Sequence, residues 1–114
     1  MLIHSIREVH LALHAIDFRK GINGLLAEAY ALELNPYRGE CVIFVHRNRE
    51  KIKIIGGDER GVWMLERRFD AGRLELDFEF MRDPAINTIS VAELSMILDG
   101  YDFIVTKKSK KYLT

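Results

Sequence analysis

Between residues 7 and 16, apolar Val9, Leu11 and Leu13 alternate with His10, Ala12 and His14, which is the period of a half-buried strand. After Asp17 the period lengthens. Phe18, Ile22, Leu25, Leu26, Tyr30 and Leu34 recur at helical spacing, predicting a helix over 18–34 with Asp17 as its N-cap. Gly21 and Gly24 each cost its first turns up to about 1 kcal/mol relative to alanine. Asn35-Pro36 ends it, because the residue before a proline is pushed out of helical geometry. Short strands are predicted next at 40–46, 51–55, 62–69 and 73–80. Turn residues separate them: Arg47-Asn48-Arg49-Glu50, the Gly56-to-Gly61 run and Asp70-Ala71-Gly72. In the last strand Leu74, Leu76, Phe78 and Phe80 occupy one face and Glu75, Asp77 and Glu79 the other. Ser90-Val91-Ala92-Glu93 has the form of a capping box and opens a short helix through Leu94, Ile97 and Leu98 that Gly100 stops.

These elements predict an α+β fold: an antiparallel β-meander of four to five strands with one longer N-terminal helix and one short C-terminal helix. A length of 114 residues suits a single core, so residues 1–106 are read as a single domain. The tail 107–114, with Lys107, Lys108, Lys110 and Lys111 and no acid, is dense in like charge and is expected to be disordered. The lone cysteine, Cys41, lies in the apolar run Cys41-Val42-Ile43-Phe44-Val45, where a thiol acts as a small hydrophobe in a reducing compartment. No uncharged apolar stretch approaches the roughly 20 residues of a membrane span. A cytoplasmic location without membrane association is expected.

Seventeen basic and seventeen acidic side chains cancel, so the whole molecule lacks the long-range field that draws proteins non-specifically to DNA. Their distribution is uneven. Residues 38–73 hold nine basic and six acidic groups, whereas 74–102 hold only Arg82 against seven acids. The basic centre comprises Arg47, Arg49, Lys51, Lys53, Arg67, Arg68 and Arg73. Guanidinium forks and lysines on adjacent turns can position phosphate oxygens, and Asn48 can bond a phosphate or a base edge. The competing reading is ordinary covering of a small sheet, where lysine and arginine discourage edge-to-edge pairing.

Other chemistry finds less support. His10 and His14 are about 13 Å apart if both lie on one strand, too far to share an ion, and neither has an obvious carboxylate or cysteine companion at ligand spacing. Glu75 and Glu79 are separated by a similar distance, so the alternating acids read as a solvated face. The glycines match no phosphate loop, and no serine or cysteine sits in a nucleophile elbow. Neither a catalytic residue nor a cofactor or metal is therefore expected. An acid-dependent metal nuclease would need Asp17, Asp58 and Glu66 to converge.

In order and spacing, the segments DFRKGINGL (17–25), LNPYRGECVIFVHRNREKIKII (34–55), GDERGVWMLERRFDAGRLEL (57–76) and ISVAELSMILDG (89–100) resemble the small TnpB accessory protein. That protein is encoded by the second open reading frame of bacterial insertion sequence 66 type transposable elements. The resemblance spans roughly residues 9–103. It is most specific at Asp17 to Leu25, Asn48-Arg49, Lys53, Asp58, Gly61, Arg67-Arg68 and Gly72-Arg73. It implies a non-enzymatic accessory role in transposition beside a larger transposase that performs the strand chemistry. The resemblance does not say what the accessory protein contacts; taken together with the basic centre, it leads to the expectation that the chain binds transposon-end DNA, the transposase of the same element, or both, with the transposase alone as partner if the protein is purely an interaction module. The chain departs from the pattern at Gly57, where the family shows tryptophan before aspartate, and at Leu74, where it shows an aromatic.

Overall fold

A computed structural model describes residues 6–12, 14–70 and 86–98. Within them lie strand β1 (Glu8–Ala12), helix α1 (Ile22–Ala31), a 3-10 turn (Pro36–Arg38), strands β2 (Glu40–Val45), β3 (Lys51–Asp58), β4 (Gly61–Arg68) and β5 (Ile86–Ile89), and helix α2 (Val91–Leu98). The strands form one sheet in the order β4-β3-β2-β1-β5.

The sheet is mixed, which corrects the expected all-antiparallel meander. The run β2-β3-β4 is antiparallel as anticipated, but β1 pairs parallel to β2. Parallel neighbours need a crossover connection, and α1 supplies it. Strand β5, not anticipated from the sequence, pairs antiparallel to the other side of β1. Both faces are covered. Leu25 and Ala29 of α1 pack with Ala12, Val42, Phe44 and Ile55 on one face. Leu94 of α2 packs with Val9, Leu11, Cys41, Ile43, Ile52, Ile54 and Ile89 on the other. Central β2 is therefore continuously apolar from Cys41 to Phe44, the pattern of a strand buried on both faces. Burial pushes the Cys41 thiol up to about 12, so it stays a protonated packing group.

Helix α1 is shorter than its hydrophobic period suggested. Asp17 is not its N-cap: the carboxylate accepts the Arg19 amide at 2.9 Å and the Arg19 guanidinium at 2.7–3.1 Å, shaping a turn ahead of the helix. Gly21 takes the N-cap position instead, without a side-chain cap. The helix stops before Asn35-Pro36 is reached. Glu33 adopts left-handed geometry (φ 62°), and Leu34 N–H donates back to Ala29 at 2.9 Å, a Schellman closure that satisfies a terminal carbonyl. Asn35 then accepts from the Tyr37 amide and Gly39, at φ 84°, turns the chain into β2.

The predicted Gly56-to-Gly61 turn is mostly strand. Strand β3 runs through Asp58, and only Glu59-Arg60 connect it to β4. The glycines serve close approach, since a Cβ on Gly56 would overlap the Trp63 indole and one on Gly57 would overlap the Gly61 carbonyl. The expected strand at 73–80, the stop at Gly100 and the tail 107–114 lie outside the described residues, as does the proposed limit of the domain at 106.

The capping box forms as predicted: Ser90 Oγ accepts the Glu93 amide at 3.0 Å and Glu93 Oε1 accepts the Ser90 amide at 2.9 Å. Ser90→Ala should lower stability by about 1 kcal/mol, read in urea as an earlier midpoint with unchanged slope. An unshifted midpoint would show that the cap contributes nothing.

Candidate nucleic-acid interface

Register gathers basic groups from three separate segments at one end of the sheet. The β2–β3 hairpin closes through His46 N–H to Lys51 O at 2.9 Å, with Arg49 N–H donating to His46 O at 2.7 Å. Arg47 and Asn48 at its tip are exposed. Arg49 occupies left-handed backbone (φ 61°), a conformation that a non-glycine residue adopts at a cost of about 1–2 kcal/mol. Lys51 sits opposite Arg68 on β4, and Ile52 opposite Arg67. Phe69 N–H then bonds Glu50 O at 2.7 Å, holding the end of β4 against the hairpin. Pleating divides these groups: Lys51 and Arg68 share the α1 side, while Arg67 emerges with Ile52 on the α2 side.

The third segment is the turn before α1, whose cations were not picked out from the sequence as binding groups. Phe18 meets the His46 ring edge-on at 5.0 Å, and the Lys51 ammonium lies 6.0 Å from the Phe18 centroid. Arg19 and Lys20 are thereby placed beside the hairpin. The only sequence signal for this was the Asp-x-Arg-Lys-Gly run, which spacing alone could not locate relative to residues 46–51.

Lys53 leaves the set of phosphate contacts. It is 6% exposed, and its ammonium donates to the carbonyls of Phe18 at 2.6 Å and Lys20 at 2.8 Å. Glu66 lies 3.6 Å away as its counter-ion. Lys51 and Lys53 lie on the same side of β3, but α1 and its preceding turn cover Lys53 and leave Lys51 half exposed. Arg73 lies outside the described residues.

Charge compensation separates the remaining groups. Arg19 is paired with Asp17, Lys20 with Glu28 and Arg68 with Asp70. The Arg19 guanidinium holds the Asp17 carboxyl well below the usual carboxylate range, and Asp17 raises Arg19 in return. The Arg19 and Arg68 pairs are solvent-exposed and weak, so a phosphate can compete for either cation. Among the described residues, Arg47, Lys51 and Arg67 have no acidic partner. Asp17, Asp58 and Glu66 do not converge as a metal nuclease would need. Asp17 is bound to Arg19, Asp58 accepts the Arg60 amide at 2.8 Å, and Glu66 faces Lys53.

The family model described as IS66 Orf2 like protein matches residues 7–108. The chain belongs to this family. Two relatives come from Sinorhizobium fredii (strain NBRC 101917 / NGR234). The uncharacterized protein y4jC is 28% identical over 88% of this chain and 84% of its own length. The uncharacterized protein y4hO is 33% identical over 83% of this chain and 81% of its own length. No solved structure matches the chain. Membership carries a transposon-associated accessory role, in a family of accessory proteins rather than one of known catalysts. The Gly57 departure has a structural counterpart: the tight β3–β4 approach leaves no room there for a side chain. Among the described residues no helix is long and apolar enough to cross a membrane.

Replacing Lys53 with methionine takes the donor away from two part-buried carbonyls, and should cost about 1.5–3 kcal/mol by the usual worth of charged hydrogen bonds. Proteolysis should begin within residues 17–21 in Lys53→Met. Unchanged stability with altered DNA affinity would instead assign Lys53 to the binding surface.

Proposed function

We infer that this protein is a non-enzymatic accessory factor for DNA transposition that engages transposon DNA through the basic end of its sheet, in association with the transposase of the same element. The observation that carries this reading is the gathering of Arg47, Lys51 and Arg67 at one end of the sheet, on a turn and two hairpin arms, as exposed or half-exposed cations that have no acidic partner among the described residues. Arg49, Arg68, Arg19 and Lys20 extend the surface. In this reading the cations position phosphates, and Asn48 at the tip bonds a backbone oxygen or a base edge. The surface follows one end of the domain and lies on both sheet faces, which suits a duplex backbone better than a small anionic ligand.

A protein-interaction reading also has an observation in its favour. Met64 and Leu65 on β4 are 38% and 39% exposed, and the overall charge is zero, so the transposase can supply the principal contact while the arginines add specificity. This remains the alternative, in which DNA is not touched directly.

Fluorescence anisotropy with a duplex carrying the element's end separates the two. If three phosphates are engaged, log affinity should fall against log salt with a slope of about −2.7. The double variant Arg47→Gln, Lys51→Gln should bind more weakly and flatten the slope by about 2 units. Absence of binding at low salt, both alone and with transposase, would eliminate direct DNA contact. Retention of the protein by transposase in that case would support the interaction module.

A further inference from the structure

The opposite end of the sheet carries a different constellation. The parallel register of β1 and β2 sets Glu8 directly beside Glu40, and His10, two residues along β1, projects from the same face. Donor atoms from these three side chains lie within 4.8 Å of one another. Sequence spacing paired His10 only with His14 and missed both carboxylates, because Glu40 reaches it through a strand pairing thirty residues away in the chain.

We propose that Glu8, His10 and Glu40 form a binding site for a divalent transition-metal ion of the zinc type. The backbone sets the triangle, since strand register brings its three members together. Like charges directly opposite in a sheet destabilise the pairing. Among the described residues, neither Glu8 nor Glu40 has an arginine or lysine ion pair. A cation between them removes that repulsion. The donor set is one imidazole and two carboxylates, which suits zinc or its neighbours, whereas magnesium prefers oxygen alone.

The surroundings orient the ligands. His10 Nε2 is 3.0 Å from Glu8 Oε2, and its Nδ1 is 3.4 Å from the hydroxyl of Thr88, its cross-strand partner on β5. Binding replaces the proton shared by Nε2 and Glu8 with the metal. Nδ1–H then donates to the Thr88 hydroxyl, which can accept as readily as donate. Glu40 Oε1 accepts the Asn35 amide at 2.8 Å, fixing that carboxylate while its other oxygen is available to the ion. A cleft of about 190 Å³ lined by Arg7, Glu8, Arg38 and Glu40 gives the ion access and leaves room for a water ligand. The two arginines reduce the affinity for any cation there. The site lies across the sheet from the basic hairpin, so its failure would leave the DNA reading untouched.

The test uses the full chain stripped of metal by a chelator and titrated with zinc against a chromophoric indicator. One equivalent should bind, and affinity should fall as pH drops because the proton competes for Nε2. His10→Ala, Glu8→Gln and Glu40→Gln should each weaken binding at least about tenfold, with Thr88→Val approaching that loss. His14→Ala and His46→Ala should bind as the parent does. Glu8→Gln relieves the like-charge contact and should fold at least as stably, so loss of zinc in that variant reports the site rather than unfolding. Zinc should also raise the melting temperature of the parent and not of Glu8→Gln. Absence of stoichiometric binding, zinc retained by His10→Ala, or magnesium bound as tightly as zinc would each overturn the proposal.

Discussion

The buried ammonium of Lys53 is the interaction on which the basic end depends. It occupies a strand position that would otherwise face the core, and it is stable there because two backbone carbonyls and the Glu66 carboxylate replace its water. Those carbonyls belong to Phe18 and Lys20, in the turn where β1 gives way to α1. One side chain therefore fixes where the crossover helix begins and lays the Phe18 ring against His46. Without it, the turn bearing Arg19 and Lys20 would have little to hold it near the hairpin.

From that attachment the polarity of the domain follows. The C-terminal ends of parallel β1 and β2 lead into the Phe18 turn and the Arg47-to-Glu50 hairpin, so cations collect there. Their N-terminal ends bring Glu8, Glu40 and His10 together. A chain with zero formal charge is in this way divided into a basic end and an end rich in metal-ligating groups, with the apolar β2 between them. Left-handed geometry at Arg49 adds a local cost at the hairpin tip.

Local patterns were readable in the sequence. The Ser90-to-Glu93 cap, the antiparallel run β2-β3-β4 and the buried Cys41 all follow from periodicity and turn chemistry, which act over a few residues. What escaped was long-range or competitive. Asp17 had two partners to choose from and took Arg19 rather than the helix terminus. The Gly56-Gly57 pair looked like a turn because its reason, the Trp63 indole and the Gly61 carbonyl, lies across the hairpin. Parallel pairing of β1 with β2 leaves no local mark, and with it went the Glu8–Glu40 contact. Lys53 read as a surface cation because period places its side chain on a face without saying what covers it.

The most direct test of this arrangement is amide chemical-shift mapping of the labelled protein as an element-end duplex is added. If Lys53 holds the α1 turn against the hairpin as one surface, the amides of residues 18–21, 46–51 and 67–69 should shift together along one binding curve, while those of Glu8, His10 and Glu40 stay still. Shifts confined to the hairpin, or concentrated at the Glu8 end, would contradict it.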